Sequence, residues 1–256
     1  MDSTTLLPPR IEALKINSYN ETLNGVIYCA GGTGLHPTIL LLHGVPGYER
    51  NFDLAHAFVR EGYHTVVFHY RGAWGSSGVF TLQHVVEDVE QVLNFLREDA
   101  VAEHFLIDRE RLICVGHSMG GWATLVAGGR GWVNHACSIA GVWVGGLHDY
   151  ILQHRETFSS VLNFPSEDRL LQEWQTYEEE WDFFESVPQL AHKNLLLIGG
   201  SRDEDVPIAL NHTPLVTALE RQPSHQVRHY ILDAEHSFIE RRLELISIIL
   251  EWLRAI

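Results

Sequence analysis

The sequence predicts an α/β fold: a mostly parallel central sheet with helices on both faces and a short helical insertion over one end. Three observations predict it. Short apolar runs alternate with segments of helical length, the order that parallel strands and crossover helices require. One run, Arg111–Val115, leads through Gly116-His117-Ser118-Met119-Gly120 into the small-residue segment Gly121–Ala127, the pattern of a sharp strand-to-helix turn. From about 145 to 190 the strand signal disappears, and only helix-like segments rich in Trp, Phe, Tyr and Glu remain.

Taken in order, 11–17 and 22–28 read as an antiparallel opening pair, and 38–42 as a short apolar strand ending in His43-Gly44-Val45-Pro46-Gly47. Residues 52–61 read as a helix with Asn51 as N-cap, and 64–69 as the next strand. The clearest helix is 81–99, where Leu82, Val85, Val86, Val89, Leu93 and Leu96 follow i, i+3, i+4 spacing. After the turn at Ser118 come strands at 137–144 and 194–198, a helix at 208–221, a strand at 227–232 and a terminal helix at 237–253. The stretch at 145–190 is expected to form a cap over the carboxyl ends of the sheet, within a single domain spanning 1–256.

Composition excludes more than it selects. A chain of 256 residues with 45% hydrophobic and 20% charged content is long enough for one sizeable core. Its formal net charge of −15 argues against nucleic-acid or anionic-membrane partners, which need a basic surface. The three cysteines, Cys29, Cys114 and Cys137, are widely spaced and read as small buried hydrophobes. Residues 1–10 carry no apolar leader core, and no run approaches a membrane span, so a cytoplasmic location is expected.

Acyl transfer by a serine needs a general base, an acid that orients it, and donors for the developing oxyanion. Ser118 lies between glycines at the turn. Asp203 follows the strand at 194–198 inside Asp203-Glu204-Asp205-Val206-Pro207, and His236 follows the last strand inside Ala234-Glu235-His236-Ser237-Phe238. All three sit where loops leave the same end of a parallel sheet. The register favours Asp203, with Asp205 as the alternative. A plain reading of Ser118 is a serine at a helix N-terminus.

The H-G-V-P-G loop, the G-H-S-M-G-G turn, the D-x-x-V-P pattern and the final A-E-H-S-F resemble the α/β-hydrolase superfamily. The Y-R-G-A-W-G-S-S-G run at 70–78 is similar to the esterase and peptidase branch related to prolyl oligopeptidase, here as the catalytic domain without a propeller. The resemblance implies a serine hydrolase with Ser118 as nucleophile, His236 as base and Asp203 as its orienting acid. It implies an oxyanion hole from the backbone N–H of Met119 and, by analogy, of Val45. The substrate would be a small-molecule ester or related acyl compound, with no cofactor. A peptidase or amidase, an acyltransferase with the same triad, or a hydrolase-derived receptor remain alternatives.

Other residues carry two readings. Tyr48, Trp74 and Trp143 either line the substrate pocket or are packing aromatics. His43 and His117 flank the site by motif and read as loop organisers. His64 and His69 are five positions apart on one strand, so they face opposite sides, and no metal-ligand spacing is present. The acidic aromatic run 178–185 reads as a solvated helix face.

Overall fold

In the computed structural model, which describes residues 7–223 and 226–256, eight strands form one sheet in the order β1-β2-β4-β3-β5-β6-β7-β8. The strands are β1 (Arg10–Ser18), β2 (Glu21–Cys29), β3 (His36–Leu42), β4 (His64–Phe68), β5 (Ile107–His117), β6 (His135–Ile139), β7 (Asn194–Gly200) and β8 (Gln226–Leu232). β1 and β2 form the expected antiparallel pair, and β2 runs antiparallel to β4. From β4 to β8 every neighbouring pair is parallel. The expectation of no apolar leader in 1–10 falls mostly on residues 1–6, outside the described residues.

The strand alternation divides the core. Leu40, Leu42, Cys114, Leu195 and Leu197 face one apolar layer, which holds α2 (Leu82–Arg97), α4 (Met119–Gly129) and the insertion. Ile39, Leu41, Ile113, Val115, Leu196 and Ile198 face the other, covered by α1 (Phe52–Arg60) and α9 (Arg242–Arg254). Side chains that alternate along buried strands explain why these segments read as continuous apolar runs. All three cysteines are buried and unpaired, as small hydrophobes would be.

Several boundaries differ from the sequence expectation. The helix expected over 81–99 ends at Arg97; Glu98 breaks it with an extended ψ of 136°, and α3 (Asp99–Phe105) follows. The strand expected over 137–144 is instead β6, His135–Ile139: Ala140 takes φ 45° and the chain leaves the sheet. Helix α8 spans His212–Glu220, and the terminal helix begins at Arg242 after a 3-10 turn at Ile239–Arg241. His236 therefore sits in a loop ahead of that helix. Asn51 is the N-cap residue of α1, its carbonyl accepting Ala55 N–H at 3.1 Å, but with φ 56° its side chain makes no capping bond and its Oδ1 instead accepts from Arg242 at 3.0 Å.

The insertion forms α5 (Val144–Phe158), α6 (Glu167–Trp181) and the short α7 (Val187–Leu190), between β6 and β7. It is tied to the core by polar bonds as well as packing. Trp122 Nε1 donates to Trp181 O at 2.8 Å, Thr81 Oγ1 to Glu173 Oε1 at 2.7 Å, and Phe80 N to Asn163 O at 2.7 Å. Under the 70–78 loop, Arg71 Nε meets Asp88 Oδ1 at 2.6 Å, Arg71 N donates to Oδ2 at 2.7 Å, and Ser18 Oγ adds a 2.6 Å bond. This buried knot joins β1, the loop and α2. Burial pushes the Asp88 carboxyl up to about 6, against the pull of Arg71.

Candidate active site

β5 delivers Ser118 directly into α4 with φ 60° and ψ −122°, a backbone conformation that side chains rarely adopt. The glycines around it are required by close backbone approach. A Cβ on Gly116 would overlap the Gly120 carbonyl, and one on Gly120 would overlap the Leu42 carbonyl. Gly121 packs against Gly141, where an added Cβ would lie 2.8 Å from Cα. Ser118 is anchored on both sides, its N–H donating to Ile139 O at 2.9 Å and its carbonyl accepting from Trp122 N at 3.1 Å. The hydroxyl thus stands at the N-terminus of α4, where unpaired N–H groups and the helix dipole favour negative charge.

Asp203 and His236 come together from two different loops. His236 Nδ1 lies 2.8 Å from Asp203 Oδ2, and the Asp203 side chain is fully buried. A carboxylate can only accept, so Nδ1 carries the proton and Nε2 is left with a lone pair. Asp203 Oδ1 accepts Val206 N–H at 2.7 Å, which fixes the carboxylate within its own turn. Asp205, the alternative acid, is exposed and makes no such bond to His236.

The loop carrying His236 is held at three points. Glu235 accepts from Ser237 N and Ile239 N, both at 2.6 Å, and Arg242 donates to Ser237 O at 3.2 Å. His117 lies with Nε2 2.7 Å from His236 O, so it is the donor and binds the turn at Ser118 to the loop that carries His236. Burial, then the nearby His236, pushes the His117 imidazole down to about 3. His43 is likewise pushed down by burial, to about 4. Both rings are neutral at ordinary pH, as befits loop organisers.

Ser118 and His236 line one cavity of about 350 Å³, with Val45 at its edge. Gly44 lets the loop after β3 lie against Ser118: a Cβ there would come within 2.9 Å of Ser118 Cβ. The far wall is α5, which contributes Gly146, Leu147, Tyr150 and Gln153 from one helical stripe. Trp143 is on this wall, its indole N–H 3.2 Å from Asp182 Oδ2. The other two aromatics are elsewhere. Tyr48 is exposed and packs edge-on against Trp74 with ring centroids 5.9 Å apart; neither lines the cavity that holds Ser118. Tyr150, Gln153 and Asn211 carry no role in a reading of the sequence alone; the i, i+3, i+4, i+7 spacing of Trp143, Gly146, Leu147 and Tyr150 is the one signal of a shared face.

His64 is on β4 but His69 lies one residue past its end, so the two do not share a strand as the expected 64–69 strand implied, and each has its own partners. His64 Nδ1 accepts Ala30 N–H and its Nε2 donates to Phe105 O, while His69 turns to His43. Among the described residues, Asp203, Asp205 and His236 are the one group whose atoms approach closely enough to share a cation, within 4.8 Å. Both Asp203 oxygens and His236 Nδ1 are already hydrogen-bonded, so the donor set is a poor fit to a metal. Among the described residues, no helix is long and apolar enough to cross a membrane.

Residues 50–256 match the prolyl oligopeptidase family. No curated protein matches the sequence. Similar solved structures include the Pyrococcus furiosus esterase Pf2001 (TM-score 0.72, 16% identity, 96% of this chain and 91% of that one). Another is a 2,6-dihydroxy-pseudo-oxynicotine hydrolase (TM-score 0.71, 18% identity, 97% and 70%). A third is Est1E from Butyrivibrio proteoclasticus with ferulic acid bound (TM-score 0.72, 16% identity, 95% and 98%). At these identities the likeness is one of fold, the α/β-hydrolase fold.

Proposed function

Because this chain belongs to the prolyl oligopeptidase family of α/β-hydrolases, we propose that it is a serine hydrolase cleaving carboxylic esters through Ser118, His236 and Asp203. The observation that carries the reading is the 2.8 Å bond from His236 Nδ1 to Asp203 Oδ2, beside a serine held at φ 60° on the wall of the same cavity.

In this mechanism His236 Nε2 takes the Ser118 proton as Oγ attacks the substrate carbonyl carbon. The carbonyl π electrons move to oxygen, and the N–H groups of Met119 and Val45 stabilise that oxyanion. His236 then passes its proton to the leaving alcohol as the C–O bond breaks. Water repeats the sequence on the acyl-enzyme, releasing the acid and restoring Ser118. Asp203 keeps the Nδ1 proton in place and stabilises the imidazolium that forms. The Ser118 Oγ–His236 Nε2 bond is not formed in this structure; such contacts commonly tighten when substrate binds.

A cavity of about 350 Å³ with Val142, Leu147, Tyr150 and Trp143 on its walls suits a small to medium acyl group. Ferulic acid in Est1E makes an aryl ester a sensible member of the test panel. Family membership favours one second reading, hydrolysis of peptide or aryl amides by the same groups. We expect the enzyme to work in the cytoplasm.

The test is turnover of p-nitrophenyl acetate, butyrate and octanoate beside the matching anilides. Ester turnover that exceeds anilide turnover and vanishes in Ser118→Ala supports the proposal. Anilides cleaved faster than esters would favour the peptidase reading, and full activity in Ser118→Ala would overturn both.

A further inference from the structure

Beside the catalytic cavity, the 69–74 segment grips the loop that carries Val45. Trp74 Nε1 donates to Pro46 O at 2.6 Å, one residue past Val45. His43 Nδ1 lies 2.7 Å from Gly44 O, and since a carbonyl only accepts, the His43 proton is on Nδ1. His43 Nε2 is then an acceptor, so His69 Nδ1, 3.2 Å away, must be its donor. Tyr70 OH adds a 3.2 Å bond to His43 O. Arg50 Nε closes the far end of the loop on Gly47 O at 3.1 Å, with its guanidinium 4.1 Å from the centre of a Trp74 ring.

This contact set is built, not incidental. Gly47 has φ 94°, and a Cβ on it would sit 2.8 Å from both His43 Nδ1 and Trp74 Nε1, so the loop is nested under the two rings. Trp74 itself takes φ 49°, an uncommon value for a bulky side chain that needs support from its surroundings. That support comes from Val161 O, which accepts Trp74 N–H at 3.0 Å. His69 is fixed from both sides: its N–H donates to Asn24 O at 2.9 Å and its carbonyl accepts from Ser76 Oγ at 2.7 Å. Yet neither His69 nor Trp74 lines the cavity that holds Ser118. Any effect they have on the reaction must pass through the loop.

We propose that His69 and Trp74 are positioning residues that hold the Val45 N–H at the distance an oxyanion needs, through the His43 imidazole and the Pro46 carbonyl. The proposal rests on the serine-hydrolase reading above. An oxyanion donor acts on the tetrahedral state more than on bound substrate, so slackening its loop lowers kcat and leaves KM almost unchanged. A purely structural role would lower the fraction of active protein without this split.

The experiment uses full-length Trp74→Phe, which keeps a ring but loses the indole N–H. His69→Leu removes the Nδ1 donor, and His69→Asn returns a donor near that position. Active sites are counted by fluorophosphonate titration, so that unfolded protein does not enter kcat. The expected result is a loss of about 10- to 100-fold in kcat for p-nitrophenyl butyrate in Trp74→Phe and His69→Leu, with KM within about twofold. The inhibition constant of butylboronic acid, which forms a tetrahedral adduct on the serine, should weaken by a similar factor, and His69→Asn should recover most of the loss. If Trp74→Phe does not fold, the two His69 variants decide by the same readouts. A raised KM with kcat intact would mean the side chains touch substrate and would overturn the proposal, as would unchanged kcat and boronate affinity. Turnover that survives Ser118→Ala would instead sink the reading of the site itself.

Discussion

The two buried histidines that brace the site make a quantitative prediction about acid stability. His43 and His117 are held neutral with pKa values lowered to about 4 and about 3, chiefly by burial. In the unfolded chain each returns to roughly 6.5. The folded values lie below the unfolded ones, so the unfolded chain binds more protons across the window between them. The stabilising contribution is complete above about pH 7 and is lost as pH falls toward the folded values. At pH 5, roughly 1.5 pH units below the unfolded value, each ring costs about 2 kcal/mol of stability relative to pH 8. Two such rings draw on a total that is typically only about 5–15 kcal/mol.

Other groups titrate in the same range, and Asp88, pushed up to about 6, works in the opposite direction. The clean perturbation is therefore His117→Gln. Its side-chain amide can reach the position of Nε2 and keep the bond to His236 O, but it cannot take up a proton. Urea unfolding followed by tryptophan fluorescence at pH 8 and pH 5 gives four free energies. Wild type should lose about 2 kcal/mol more than His117→Gln between the two pH values, the shared groups cancelling in the difference. Parallel losses in the two proteins would refute the claim that His117 is kept neutral by burial.

Further predictions concern the elbow, the acid, the buried ion pair and the cavity. Gly120→Ala forces a methyl against the Leu42 carbonyl, and urea unfolding should show a loss of at least about 3 kcal/mol or no folded protein. Asp203→Asn should lower kcat by about 10³- to 10⁴-fold, while Asp205→Asn stays within about fivefold of wild type; equal losses would mean the acid is misassigned. Asp88→Asn removes one of the two carboxylates that pair with the buried Arg71 guanidinium, leaving Glu87, and should cost about 1–3 kcal/mol, with kcat per titrated site little changed. Leu147→Trp should fill part of the cavity and move the ester preference from octanoate toward acetate, read from kcat/KM across the three esters.

The sheet and the two loops of the site were legible because steric and topological rules leave little choice there. Gly116 and Gly120 face backbone carbonyls that admit no side chain, so the elbow is written into the sequence. Asp203 follows the apolar run of β7, and His236 follows β8, whose apolar stretch is only Tyr230–Leu232. The strand at 137–144 was overrun because Val142, Trp143 and Val144 are as apolar as the strand before them. Only the positive φ of Ala140 and the packing of Gly141 on Gly121 turn them out of the sheet to form the cavity wall. Trp74 carries two readings for a related reason. Its place next to the site is readable from the motif, but whether the indole meets substrate or the Pro46 carbonyl depends on a tertiary contact 28 residues away. The cap side chains Tyr150 and Gln153 stayed without a role because helical spacing gives a face and not what it faces.

The proposed mechanism requires Ser118 to be an activated nucleophile. Its most direct test is brief exposure of the native protein to a fluorophosphonate probe, followed by peptide mass mapping. The expected result is stoichiometric label on Ser118, lost in His236→Ala and in acid- or urea-unfolded protein. Label on another residue, or a folded protein that stays unlabelled, would contradict it.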